Sequence, residues 1–489
     1  MKNSAIAIIL EMCLFILCTA CSTQQEWESA LIKSEPYTIV YSDECGYTQE
    51  IGQNLSENIK EATGVSLEVV SDATTSIADL EILVGVTSRP ESVSAAEGLL
   101  DRDYRVKLDG KKLVIAATSE DSLVLAVAHL IERLTPTGFS LENDYIHEYI
   151  CPQRTYNMLQ LDGKYKTMGR SQLYGTSISA DWSACGIEFN AYCKNDVQIQ
   201  VTVSAMSDPA IVYDENATYF TVYVDGQRMK ERLLAKEGTT TLTIASGLEE
   251  GVHSFRFFKQ AHNLHCNVDI DAITVEGEVL EKPADRDLYL EFIGDSITAG
   301  YGTYYASGSL AMTYPYSDGT QSYAFMTAEN LNADYSLIAR CSWGIMAKST
   351  NNNLPAVYKY VCYSRNCTDL YDFARKPDAV IVNLGTNDLS HGFGRMAKMT
   401  DETVKFFEDI REKNGDVPIV VVYNMMNGTC STRLTDAVEK MGGEENRVYL
   451  LKLSRGTSGG GAHPSAAEQK RAANELTEFL RENVLTDKK

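Results

Sequence analysis

Basic residues are in short supply. The chain has 44 Lys and Arg against 67 Asp and Glu, a formal net charge of −23 over 489 residues. A surface this acidic offers little to the phosphates of a nucleic acid or to an anionic membrane, so neither is expected as a partner. Proline is sparse too, at 11, and with 44% apolar residues this argues against long disordered stretches. That length and composition predict about two or three folded domains. Long apolar runs are missing beyond the N-terminus, so no internal membrane span is expected. The cysteines show no metal-like spacing, and neither a metal nor a cofactor is implied. Those beyond Cys21 are odd in number, so at least one stays unpaired; Cys185 with Cys193, or Cys362 with Cys367, could pair in an oxidising compartment.

The N-terminus reads as a targeting segment. Lys2 precedes an apolar stretch over 5–17 that Glu11 interrupts and that is too short to span a bilayer comfortably. It ends in Leu17-Cys18-Thr19-Ala20-Cys21-Ser22, which resembles a bacterial lipoprotein signal, although Cys18 stands where leucine is usual. The resemblance implies a signal segment over 1–21, lipid on Cys21, and a protein exported to the cell surface or periplasm. Any membrane contact would be through that anchor.

Chemistry concentrates in the last third. Leu288, Leu290 and Phe292 alternate along a strand that breaks at Gly294, and Ser296 follows where strand end is expected to turn into helix start. A serine at such a corner stands above the sheet edge, with a helix N-terminus behind it to favour developing negative charge. The Gly294-Asp295-Ser296 turn differs from the G-x-S-x-G elbow of α/β-hydrolases. Residues 378–384 form a β-branched apolar run of parallel-sheet type that empties into Gly385-Thr386-Asn387-Asp388. A short strand over 335–339 leads into Cys341-Ser342-Trp343-Gly344. Near the C-terminus, Gly459-Gly460-Gly461-Ala462-His463-Pro464 precedes a helix that Ser465 and Glu468 would cap.

In this order, these blocks resemble the SGNH (GDSL-type) hydrolase superfamily, with Ser296, Gly344, Asn387 and His463 in the places of its four signature residues. The resemblance implies a three-layer α/β/α catalytic domain over 284–486. Its parallel strands would be 288–293, 335–339, 379–384, 419–423 and 448–453, with an amphipathic helix over 400–413 and the site at the strands' C-terminal ends. It also implies ester hydrolysis, His463 taking the proton of Ser296 as the hydroxyl attacks. The N–H groups of Ser296 and Gly344 and the side-chain amide of Asn387 would hold the oxyanion, Gly344 because a missing Cβ lets backbone approach substrate. Asp388 reads as structural, satisfying loop N–H groups, and His391 as a surface residue. In one respect the chain departs from the family. The acid expected three or two residues before the histidine is replaced by Gly460 or Gly461. Nδ1 of His463 still needs an acceptor. A carbonyl of 459–461 would give a Ser–His dyad, a carboxylate from elsewhere a rewired triad, and neither an impaired enzyme.

Two further regions precede the hydrolase blocks. Residues 26–149 mix strands (79–85, 104–108, 112–116) with a helix from Ser119 whose apolar stripe reads Val124, Val127, Leu130 and Ile131. This pattern is similar to the small α+β accessory domain of several bacterial glycosidases. Residues 152–280 are β-rich, with strands over 197–203, 220–224, 253–258 and 268–275, which argues for a β-sandwich of jelly-roll type. Trp182 reads as buried rather than sugar-facing. A β-sandwich joined to an SGNH domain resembles carbohydrate esterase family 2, acetyl esterases of plant polysaccharides among which some members lack the triad acid. The expectation is a serine esterase removing acetyl groups from carbohydrate. Alternatives are an esterase acting on lipid or peptidoglycan acetyl groups, or a carbohydrate-binding surface protein whose hydrolase domain has lapsed.

Overall fold

The computed structural model describes residues 30–32, 37–100, 102–142, 144–205, 216–262, 265–304, 314–347, 352–362, 369–390, 393–426 and 431–488. The signal segment with Cys21, as well as Cys367 and His391, lies outside them. Among the described residues no helix is long and apolar enough to cross a membrane. The chain divides into two compact units, one ending at Cys151 and one beginning at Pro152.

The first unit is built on a six-stranded sheet in the order Glu68–Ser71, Thr38–Tyr41, Glu81–Val84, Lys112–Ala117, Tyr104–Asp109, Ile146–Tyr149. The first four strands run parallel and the last two are joined antiparallel. Helices Thr48–Thr63 and Glu120–Ile131 cover one face, where Leu55, Ile59, Leu123 and Leu130 meet Ile39, Ile82 and Ile115. Pro90–Ala96 covers the other, with Ala95 against Val40, Leu83 and Val114. The stripe expected on Glu120–Ile131 is displaced: Leu123, Ala126, Val127 and Leu130 are buried, whereas Val124 is 41% exposed. Apolar residues occupy nearly every side of this helix, so periodicity alone leaves its rotation undetermined.

The second unit opens with a ten-stranded antiparallel sheet dominated by Gly186–Ser204, Gly238–Lys259 and Asn267–Val279. The first of these pairs with both others, and register shifts near Cys193 to Gln198 bend it. Phe189, Ile199, Val201, Phe220, Phe257 and Ile270 fill its interior. Trp182 is fully buried, and its indole N–H donates to the Val361 carbonyl at 2.8 Å. Cys185 and Cys193 are free thiols. They stand just before and within one extended strand. Eight residues of strand separate them by about 26 Å, far beyond the reach of a disulfide.

A five-stranded parallel sheet follows, ordered Ala333–Ala339, Leu288–Gly294, Ala379–Asn383, Ile419–Tyr423, Val448–Lys452. On one face Ile293, Val380, Val382 and Val421 pack beneath helices Phe393–Asn414 and Ser431–Lys440 through Phe407, Ile410 and Leu434. On the other, Phe292, Ile381 and Val420 pack beneath Tyr323–Asn330 and Ala466–Phe479 through Phe325, Ala472 and Leu476. Helices therefore lie on both faces, and the strand C-termini converge on one edge.

Buried polar contacts tie this α/β part to the antiparallel sheet. Arg170, fully buried, pairs with Glu291 at 2.8 Å, and Glu291 also accepts from the Tyr358 hydroxyl. Lys166, Arg286 and Arg375 converge on Asp334 at 2.6–2.8 Å, and Glu188 receives Arg256 and Arg286. Burial alone would raise the Asp334 carboxyl, but hydrogen bonds from Arg375, Lys166 and Arg286 hold it down to about 2. Removing one partner of such a buried pair strands the other charge, at a cost of about 3–5 kcal/mol. The two parts are thereby held as one body.

Candidate active site

Ser296 lies just past the end of the strand Leu288–Gly294, where the chain enters a run of turns. The helix expected to begin there does not form. Gly300 and Gly302 adopt φ of 73° and 75°, left-handed values that an α-helix cannot continue through. The helix-dipole contribution expected behind the serine falls away with it. Instead the turn is closed by Ala299 N–H donating to the Asp295 carbonyl and Tyr301 N–H donating to the Ser296 carbonyl, both at 3.0 Å.

The structure brings Ser296 and His463 together. Oγ lies 2.7 Å from Nε2 of the imidazole, and on the opposite side of the ring Nδ1 lies 3.0 Å from the Gly461 carbonyl oxygen. A carbonyl can only accept, so the proton resides on Nδ1, and Nε2 presents its lone pair to the serine hydroxyl. Among the described residues no carboxylate bonds to His463. The loop is bent for this purpose. Gly461 has φ of 61°, the His463 N–H donates to the Gly460 carbonyl at 3.1 Å, and Gly459 N–H donates to the His463 carbonyl at 2.8 Å. The helix Ala466–Phe479 starts immediately afterwards, on the full Ser465–Glu468 capping box. Burial lowers the pKa of His463 below the ordinary histidine value, although the Gly461 and Gly460 carbonyls oppose the shift. A base must be unprotonated to act, and this environment keeps it so at neutral pH.

The residues expected to hold an oxyanion gather at the same edge with different degrees of readiness. The Ser296 N–H has no acceptor among the described residues. The Asn387 side-chain amide donates to the Trp343 carbonyl at 2.8 Å and approaches Asp295 Oδ2 at 3.3 Å. Asp295 is fully buried and also accepts from Ile297 N–H. Burial pushes its carboxyl up to about 7, the Ile297 N–H opposing and nearby Asp388 adding to the rise. The Gly344 N–H is taken up by the Ala347 carbonyl at 3.1 Å. A Cβ at Gly344 would lie 2.1 Å from Asp388 Oδ2. It is the packed carboxylate, and not close approach of substrate, that excludes a side chain there. Asp388 in turn accepts the N–H groups of Ile345, Met346 and Ala347 at 2.7–3.0 Å, the loop-supporting part its position suggested. Trp343 is fixed from beneath by the buried Arg340 guanidinium, 4.5 Å from its ring.

Two neighbours have no counterpart in the sequence reading. Tyr301 meets the His463 ring edge-to-face, 4.6 Å between centroids at 72°. His262, from the antiparallel sheet part, lies with Nε2 3.1 Å from Cys341 Sγ and its ring 6.5 Å from Tyr301. Burial pushes the His262 pKa well below the ordinary value. The Gly-Tyr-Gly run at 300–302 was a local signal for the first. Nothing near position 262 announces a contact with position 341.

Comparison with known proteins follows the same division. Residues 290–476 match the GDSL-like Lipase/Acylhydrolase family, and residues 167–283 match the Carbohydrate esterase 2 N-terminal family. The chain is similar to the Cellulase/esterase CelE of Acetivibrio thermocellus, 27% identical over 316 residues, which cover 62% of this chain and 37% of the relative. It is also similar to an Acetylxylan esterase / glucomannan deacetylase of Cellvibrio japonicus, 25% identical over 242 residues, 47% of this chain and 67% of that protein. Among solved structures it resembles a family two carbohydrate esterase from Clostridium thermocellum in complex with cellohexaose. The TM-score is 0.58 and the identity 26%, over 65% of this chain and 98% of that one. The chain thus spans little more than a third of the length of the first relative.

Proposed function

We propose that this chain, which joins a carbohydrate esterase 2 N-terminal domain to a GDSL-like acylhydrolase domain, is a serine esterase that removes acetyl groups from a polysaccharide or oligosaccharide. The observation that carries the proposal is the Ser296 Oγ to His463 Nε2 distance of 2.7 Å, with the tautomer fixed by the Gly461 carbonyl. In this reading Ser296 attacks the acetyl carbonyl as Nε2 takes its proton. Charge collects on the former carbonyl oxygen, facing the Ser296 N–H and the Asn387 amide, which donates to it by giving up the longer of its two present bonds, that to Asp295 at 3.3 Å, while the Trp343 carbonyl keeps the amide oriented. The Gly344 N–H joins them only if it leaves the Ala347 carbonyl. The tetrahedral carbon then expels the sugar oxygen, which takes the proton from His463 and departs as a hydroxyl, leaving an acetyl-serine. Water, deprotonated by the same nitrogen, releases acetate and restores the hydroxyl.

The substrate class is taken from the relatives, a cellulase/esterase, an acetylxylan esterase / glucomannan deacetylase and a carbohydrate esterase in complex with cellohexaose. We divide the chain into a signal segment over 1–21 with a lipid anchor at Cys21, an accessory α+β domain over 26–149, a jelly-roll sandwich over 152–280 and the catalytic domain over 284–486. On this reading the protein is exported and held at a bacterial cell surface. The test is hydrolysis of a small chromogenic acetate ester, then of propionate and longer acyl esters, then acetate release from a panel of acetylated polysaccharides. Preference for long acyl chains would turn the reading to a lipid ester, release from peptidoglycan alone to that polymer, and no hydrolysis at all to a lapsed, carbohydrate-binding hydrolase.

A further inference from the structure

We propose that Tyr301 is the positioning residue of the Ser296–His463 pair, its ring holding the imidazole in the orientation that a triad carboxylate holds in other serine esterases. The inference rests on the Ser–His reading above and adds to it the part that compensates for the missing acid.

The motivating geometry has three parts. First, Tyr301 packs edge-to-face on His463 at 4.6 Å and is 3% exposed. An imidazole held only at its two nitrogens, by the Gly461 carbonyl and the Ser296 hydroxyl, can still tilt about the line that joins those two bonds, and a planar wall beside it removes the freedom. Second, the wall cannot move independently of either partner. The Tyr301 N–H is bonded to the Ser296 carbonyl, and the Gly460 N–H is bonded to the Gly302 carbonyl, each at 3.0 Å. A Cβ on Gly302 would meet the Gly460 carbonyl oxygen at 2.6 Å, so the loop carrying the tyrosine and the loop carrying the histidine are in direct backbone contact. His262 stands on a further side of Tyr301, anchored at Cys341. Third, the ring accounts for the glycine where an acid might stand. A Cβ at Gly461 would lie in contact with both Tyr301 Cε1 and His463 Nδ1, each at 3.4 Å, so a longer acidic side chain there would have to share the space beside the ring with the tyrosine. The titratable neighbours of the pair are His262, which burial keeps neutral, and Asp295.

The test compares Tyr301→Leu, Tyr301→Met and Tyr301→Phe in the full chain, with a chromogenic acetate ester as substrate and thermal melting as the check on folding. Leu and Met fill volume without a planar face; Phe keeps the face and loses only the hydroxyl. The expected result is a kcat loss of roughly ten- to a hundredfold for Leu and Met, the range that small misplacements of a catalytic group produce, with KM within about twofold. The acid limb of kcat/KM should move up toward the ordinary histidine value in both, because burial lowers the His463 pKa and a swinging ring regains water. Phe should match the wild type in all three readouts. To keep Asp295 out of the comparison, the limb is measured again in an Asp295→Asn background.

Folded Leu or Met variants with wild-type kcat, or an unmoved acid limb, overturn the proposal. So does a Phe variant that loses as much as Leu, which would transfer the role to the hydroxyl. If neither Leu nor Met melts like the wild type, Tyr301 is a structural residue and the proposal is equally overturned. A wild-type protein inactive on every acetate ester would instead remove the Ser–His reading. Wild-type activity that Ser296→Ala abolishes, together with indifferent Tyr301 variants, removes only this inference.

Discussion

The Gly461 carbonyl oxygen lies 3.0 Å from His463 Nδ1, in the role that SGNH hydrolases generally give to a carboxylate. A carbonyl dipole fixes the tautomer as a carboxylate does, but it brings no full negative charge to balance the imidazolium that forms when Ser296 is deprotonated. The arrangement therefore leans on orientation and on the oxyanion donors more than on charge pairing.

Replacing Ser296 by alanine should leave the melting temperature close to the wild type while esterase activity falls by roughly 10³-fold or more. His463→Ala should cost a similar factor, and the double variant scarcely more, because the two groups act as one unit at 2.7 Å. Steady-state kinetics on all three variants checks this. Losses that multiply would show that His463 is not the base for Ser296.

Asn387→Ala should lower kcat by roughly 10²–10³-fold with a smaller change in KM, as for loss of one oxyanion donor. Asp295→Asn should disturb the same corner of the site. Both Asp295 oxygens accept, one from Ile297 N–H and one from Asn387 Nδ2, and an amide can serve only one of them, so either the turn after Ser296 or the Asn387 side chain loses its bond and kcat falls by roughly tenfold or more. An Asn387 variant changed only in KM would make this residue a substrate contact.

No single Asp or Glu substitution outside Asp295 and Asp388 should reproduce the roughly 10⁴-fold loss that follows removal of a triad acid. Gly461→Ala should be costly by contrast. At φ of 61° a Cβ costs about 1–2 kcal/mol, and relief of that strain would shift the carbonyl that holds His463. Melting temperature and kcat are both expected to drop. A remote carboxylate whose loss matched that of His463 would mean a triad assembled through movement of the loop.

The pH profile follows from the burial of His463. Its pKa is lowered, so the neutral, active base persists below the ordinary histidine value of 6.5, and the acid limb of kcat/KM should lie below that pH. The same shift has a stability consequence. The unfolded chain binds a proton at this position that the folded protein resists, so stability contributed here is lost as pH falls below about 6.5. A limb at or above 6.5 that persists in Asp295→Asn would contradict the buried, desolvated base.

What the sequence made legible was what lies in contiguous blocks. Ile419–Tyr423 is the strand the pattern predicts, and the other four of its sheet differ by one or two residues; the β-branched buried runs at Ala379–Asn383 and Ile419–Tyr423 leave the least choice of structure. The blocks at Ser296, Asn387 and His463 carry their own local chemistry, and the glycine run before His463 left a carbonyl as the natural acceptor. Contacts assembled across the chain were hidden. Tyr301 gains meaning only from a residue far away, and the cluster of Lys166, Glu188, Arg286 and Asp334 joins two parts whose sequences are independent. The helix expected behind Ser296 failed for a local reason that was present in the sequence, the glycines at 300 and 302. The rotation of Glu120–Ile131 had no such clue, since most of its polar residues cluster in the first turn and apolar residues occupy nearly every side of the rest.

The most direct test measures acetate released from acetylated xylan and acetylated glucomannan by the wild-type chain and by Ser296→Ala at equal concentration. The expected result is steady release by the wild type, with none above background from the variant, while both melt at the same temperature. Release that survives in Ser296→Ala, or a wild-type protein that frees no acetate from either polymer or from a chromogenic acetate ester, would contradict the account at its centre.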